Sequence, residues 1–179
     1  MIMDNLFNID KVSIRLVKDS SLNTKEVLDS PQKIADVIGD ELRDMDREVF
    51  CVINLKSDHT PINFTFASVG TLNNTVVCAR EVFKAAILSN AASIVVMHNH
   101  PSGDLTPSSA DIMTTTKLYS LCELMGIPLD DHIIVANGNR DYYSFRQETN
   151  VIDKSNFDRN VLNNMLAAEA VAENKNQTR

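Results

Sequence analysis

SIVVMHNHPSGDLTPSSADI, residues 93–112, is the stretch whose reading decides the fold. Residues 93–97 are short, continuously apolar and rich in β-branched side chains, as expected of a central strand buried on both faces. His98 and His100 follow, then a loop of Pro, Ser and Gly that leads to Asp111. The chain holds only four histidines, so two of them spaced i, i+2 at a strand end call for a chemical reason.

In a strand, residues two apart point to the same side, so His98 and His100 can aim two imidazoles at one point. The Pro-Ser-Gly loop turns the chain back, and Asp111 lies in the first turns of the next helix, where its carboxylate can face the strand end. Two nitrogens and one carboxylate leave a fourth tetrahedral position for water, the open arrangement of a catalytic zinc site. A structural site would close all four positions with protein, usually with cysteine. Ser108 stands three residues before Asp111 and so shares its helix face. Its hydroxyl reads either as a donor to a developing oxyanion or as a helix cap.

Outward from this stretch, KVSIRLVKD (11–19) alternates apolar and polar residues and predicts a strand. SPQKIADVIGDELRDMD (30–46) predicts a helix with Ser30 as N-cap and Pro31 at its first position. EVFCVINLK (48–56) and INFTFASVG (62–70), separated by the turn composition SDHTP, predict an antiparallel hairpin. REVFKAAILSNA (80–91) has helical periodicity, and TPSSADIMTTTKLYSLCELMG (106–126) predicts a long helix capped by Thr106, with Pro107 at N1, and stopped at Gly126. HIIVA, the turn NGNR and YYSF suggest a closing hairpin, and residues 157–173 read as an amphipathic tail helix. The sum is an α/β protein, a mixed sheet flanked by helices in a single domain. Residues 1–29 form a lead-in with a strand, 30–148 the domain, and 149–179 a helical tail.

Composition narrows the function. A net charge of -7 and a pI near 5.0 disfavour direct nucleic-acid binding, which needs clustered Lys and Arg to neutralise phosphates. Cys51, Cys78 and Cys122 are widely spaced and read as reduced thiols of a cytoplasmic protein. The amino end lacks the pattern of a signal peptide, and no apolar run approaches the roughly 18 residues that span a bilayer.

The same residues carry a family resemblance. His-x-His, seven residues, Ser, two residues, Asp is met by His98, His100, Ser108 and Asp111, and it resembles the JAMM motif of the JAB/MPN metallopeptidases. VGTLNNTVVCAREVFKAAI, HNHPSGDLTPSSADI and LDDHIIVANG are similar to the RadC branch of that superfamily, over about Pro31 to Glu148. The resemblance implies a cytidine-deaminase-like α/β fold and one zinc held by two His and one Asp. It also implies an upstream glutamate that activates a zinc-bound water for peptide or isopeptide hydrolysis. Glu48, in DREVFCVINL, matches that glutamate. Glu81 is also characteristic of the branch, but at a helix start it has an ordinary role toward the helix dipole.

Where the branch commonly has His-Pro before REVF, this chain has Cys78 and Ala79, positions that are not motif ligands. No counterpart of the helix-hairpin-helix region of longer RadC proteins is expected before Ser30. His132 falls outside the ligand spacing and reads as a buried histidine behind the ligands. His59 reads as a solvated turn residue, Asp104 as turn chemistry or a rim carboxylate, and Asp130 and Asp131 as loop residues. Cys78 and Cys122 become ligands only if the fold brings them to the metal. The expected partner is a peptide or protein substrate of unknown identity, and oligomeric state is open. Two rival readings stand beside the hydrolase: a DNA-repair-associated or mobile-element accessory protein acting on or near nucleic acid, and a non-catalytic MPN-type scaffold.

Overall fold

Residues 11–70, 77–138 and 140–153 are described by a computed structural model of the chain. Ser30 caps the first helix, α1 (Pro31–Ile38), by accepting the N–H of Lys33, and Pro31 sits where its missing N–H costs nothing. After Gly39 comes α2 (Asp40–Arg43). The hairpin β1 (Val49–Leu55) and β2 (Pro61–Val69) follows, then α3 (Ala79–Leu88) and β3 (Ser93–His100). The chain continues through α4 (Ser109–Met125), β4 (Leu129–Ala136), β5 (Tyr142–Ser144) and α5 (Phe145–Glu148).

The sheet order is β2-β1-β3-β4-β5. β3 and β4 are parallel, joined by the α4 crossover, and the other neighbours are antiparallel, so the sheet is mixed. β1 and β3 are interior strands, buried along almost their whole length, which is why their sequences are apolar without alternation. Their pleat sorts side chains onto two cores. Cys51, Ile53, Leu55, Val95 and Met97 pack with Ile34, Ala35, Ile38 and Leu42 of the amino-terminal helices. Phe50, Val52, Ile94 and Val96 pack with Val82, Phe83, Leu118 and Cys122 of α3 and α4. His98 and His100 continue the second set, so the period of two aims both at the α4 face. Among the described residues no helix is long and apolar enough to cross a membrane.

Several expectations are corrected. Residues 11–19 form no strand and are exposed: among the described residues no strand pairs with them to complete a ladder. α4 is capped by Ser108, not Thr106. Ser108 Oγ accepts the Asp111 N–H at 3.2 Å while Asp111 Oδ2 accepts the Ser108 N–H at 2.7 Å, a reciprocal capping box. A Thr106 cap would place Ser109 at the position that returns the bond, with no carboxylate to do so. The Thr106 N–H goes instead to Asp104 Oδ1 at 2.8 Å. Asp130 and Asp131 lie in β4 and not in a loop. Asp131 is tolerated there, 3% exposed, because Ser144 Oγ, the Arg146 N–H and its neighbour's N–H all donate to it. The expected tail helix lies outside the described residues.

Candidate metal centre

Two ligand candidates come from the end of β3 and the third from the start of α4, and the loop between them must reverse the chain within a few residues. Gly103, at φ +85, takes the left-handed conformation this turn needs, and its N–H bonds the His100 carbonyl at 3.1 Å. At the far end of α4, Gly126 closes the helix at φ 66, donating its N–H to the Cys122 carbonyl. Between these punctuation marks Asp111, Thr115, Leu118 and Cys122 follow at helical spacing, so one stripe of α4 faces the sheet.

His98 Nε2 and His100 Nε2 lie 3.0 Å apart. Asp111 Oδ1 is 3.3 Å from His98 Nε2, and Oδ2 is 3.6 Å from His100 Nε2. A tetrahedral zinc at about 2.0–2.1 Å from each ligand sets its donors roughly 3.3 Å apart. The spacing and the N, N, O donor set therefore fit a zinc ion. His98, His100 and Asp111 are the one group of this kind among the described residues. The His98 side chain is 1% exposed, while those of His100 and Asp111 are 16% and 13% exposed, so the centre opens on the side of the latter two.

The electrostatics suit a cation. Burial pushes the Asp111 pKa up, but its close contacts with the His100 and His98 imidazoles and the bond from the Ser108 hydroxyl outweigh it and hold the carboxyl well below its usual range. Burial opposes charge on His100 too, yet the Asp111 carboxylate and the Asp104 carbonyl raise its pKa, with a contribution from Glu48. The field that favours a proton there also favours a metal cation. His100 Nδ1 lies 2.6 Å from the Asp104 carbonyl, which can only accept, so Nδ1 carries the hydrogen and the neutral ring turns a bare Nε2 inward.

Glu48 stands immediately before β1. Antiparallel pairing of β1 with β3 runs as far as Phe50 opposite His98; Glu48 stands two residues before Phe50, and its charge helps raise the His100 pKa. Ser108 lies beside the ligand it caps, its Oγ–H donating to Asp111 Oδ2 at 2.6 Å. Asp104 serves the turn through Thr106 and orients His100 through its carbonyl. His59 is half exposed, with Nε2 3.6 Å from Asp130. Cys78 is exposed and Cys122 buried among apolar side chains, where burial pushes its thiol up to about 12. Glu81 occupies the first turn of α3 and meets Lys84.

Two residues escape a reading of spacing alone. Asn99, between the histidines, faces the opposite side of the sheet: its Oδ1 accepts the Val49 N–H, and its Nδ2 donates to the Arg47 carbonyl. Thr115 touches His132, which in turn touches His98. The letters that could have flagged them, an amide within His-x-His and a β-branched hydroxyl inside a helix, have many ordinary uses. His132 is fully buried, stacked on Phe145 at 4.8 Å, and burial holds its pKa well below the ordinary value.

A family model for the RadC-like JAB domain matches residues 28–151. This chain belongs to the RadC-like JAB domain family. It is 42% identical over 123 residues to a UPF0758 protein of Desulfitobacterium hafniense, covering 69% of this chain and 53% of that one. A UPF0758 protein of Staphylococcus carnosus is 45% identical over 123 residues, 69% of this chain and 54% of the relative. A third, from Staphylococcus haemolyticus, is 42% identical over 126 residues, 70% and 54% respectively. The chain thus spans about half the length of the curated relatives it matches. The RadC-like match includes every strand described above and both ends of the candidate centre.

Proposed function

We propose that this chain is a zinc-dependent hydrolase of peptide or isopeptide bonds, with His98, His100 and Asp111 as ligands and Glu48 as base. One observation supports the reading: three donors of a hydrolytic kind meet at tetrahedral spacing, and the Glu48 charge contributes to the field at His100. A bound zinc would supply a Lewis acid and lower the pKa of a water toward about 7. Glu48 takes the proton of the attacking water and passes it to the leaving amine.

Ser108 is the candidate donor to the oxyanion. Its hydroxyl can turn toward substrate without releasing the ligand, because the Ser108 backbone N–H also holds Asp111 Oδ2. The partner in this reading is a peptide or protein segment entering from the His100 and Asp111 side, with no direct contact to nucleic acid.

Glu48→Gln separates binding from chemistry. The variant should keep its zinc and lose hydrolysis, and cells carrying it should accumulate protein species that wild-type cells process. A Glu48→Gln protein that hydrolyses as wild type removes Glu48 from this role.

A further inference from the structure

His98 Nδ1 lies 2.8 Å from His132 Nε2, and His132 Nδ1 lies 2.6 Å from Thr115 Oγ1. Thr115 Oγ1 is in turn 2.6 Å from the Asp111 carbonyl. Three of these four groups can both donate and accept, so the direction of the chain looks ambiguous. Its last member removes the ambiguity. A carbonyl only accepts, so the single Thr115 hydroxyl proton is committed to Asp111. Oγ1 must then accept from His132, which places the His132 hydrogen on Nδ1. A neutral imidazole carries one hydrogen, so His132 Nε2 is an acceptor and the hydrogen between the two rings belongs to His98 Nδ1.

We infer that Thr115 and His132 form a one-way hydrogen-bond relay, running from the backbone of Asp111 to the ring of His98, that fixes His98 as its Nδ1–H tautomer and leaves Nε2 free to ligate. The inference rests on the metal-centre reading for its purpose, though its geometry stands independently of it. Metal-bound histidines ordinarily hand their second N–H to a carboxylate, carbonyl or water. Here a second histidine takes that place, and a threonine one turn along α4 from the third ligand sets its polarity. Burial keeps water from substituting for either partner: His98, His132 and Thr115 are all 0% exposed. Phe50 and Phe145 flank the His132 ring, at 5.5 and 4.8 Å between ring centroids, which restrains it from flipping. His132 and Thr115 are positioning residues in this arrangement.

Long-range proton-nitrogen NMR of the full chain, stripped of metal and held well above the histidine titration range, reads the tautomers directly. Both His98 and His132 should show Nδ1–H; an Nε2–H pattern in either ring overturns the relay. Thr115→Val keeps the volume and removes the hydroxyl, so His132 should lose its pure Nδ1–H pattern, and zinc affinity measured by chelator competition should fall by about 10- to 100-fold. Thr115→Ser restores the hydroxyl and should recover both signals, which a purely packing role would not require. Wild-type tautomers and affinity in a folded Thr115→Val protein overturn the inference. A wild-type chain that shows both Nδ1–H rings yet takes up no zinc would support the relay while removing the metal-centre reading, so the two failures are distinct.

Discussion

Asn99 Oδ1 accepts the backbone N–H of Val49 at 2.7 Å, and Asn99 Nδ2 donates to the carbonyl of Arg47 at 3.0 Å. Glu48 lies between those two backbone groups. The strand that carries both histidines therefore also holds the peptide units on either side of the proposed base, from the opposite face of the sheet. Asn99→Ala should strand the buried Val49 N–H and cost about 1–3 kcal/mol of stability in chemical denaturation. Zinc content should be kept and hydrolysis should drop, since the base is loosened and the ligands are not. Unchanged activity and stability would show that Glu48 is placed without Asn99.

Metal content tests the ligand set. Protein purified without chelator should carry about one zinc per chain, the stoichiometry of a single three-ligand site. His98→Ala and Asp111→Ala should each lose it, and Cys78→Ser should not. Full retention in both ligand variants would end the zinc reading.

Stability of the metal-free protein should depend on pH through His132. Its folded pKa lies well below the ordinary 6.5 because of burial, while the unfolded chain takes up a proton near that value. As pH falls below 6.5 the unfolded state binds a proton that the folded state refuses, so the His132 contribution, full above 6.5, is lost toward its folded pKa. His100 has the opposite sign: its raised pKa favours the folded state below 6.5, and that gain is lost as pH rises through its folded value. The difference between wild type and His132→Gln isolates the first effect. Denaturation midpoints that fall equally in both proteins between neutral and mildly acidic pH would contradict it.

Nucleic acid offers a test of the rival reading. A protein that neutralises six to ten phosphates loses roughly 10³–10⁵ in affinity between about 50 and 200 mM salt. With a net charge of -7, this chain should bind duplex or single-stranded DNA weakly and with little salt dependence. A steep dependence in a fluorescence anisotropy titration would favour a nucleic-acid role.

The elements were legible where local chemistry is strong. Ser30-Pro31 started α1, Gly126 stopped α4, the β-branched runs around SDHTP marked the β1–β2 hairpin, and the unbroken apolar run of 93–97 marked β3 as an interior strand. Legibility failed where a residue's partner is distant. Residues 11–19 have the alternation of a strand, but none of the described strands pairs with them. Asp131 looks like a loop residue until Ser144 and Arg146 supply its donors. Thr106 and Ser108 are both acceptable caps, and the choice went to the one whose third residue onward is an aspartate.

What the sequence by itself determined is the candidate ligand set: His98 and His100 share a strand face through the period of two, and Asp111 follows at a spacing that a tight turn can bridge. The family pattern added Glu48 to these residues. Only the tertiary structure decided that Asn99 holds the backbone on either side of Glu48, and that Thr115 and His132 stand behind His98. The reason is physical. Periodicity orients side chains within one element, but strand register, the side of the sheet a crossover helix covers, and the direction of a hydrogen bond between buried rings are settled by contacts between residues far apart in the chain.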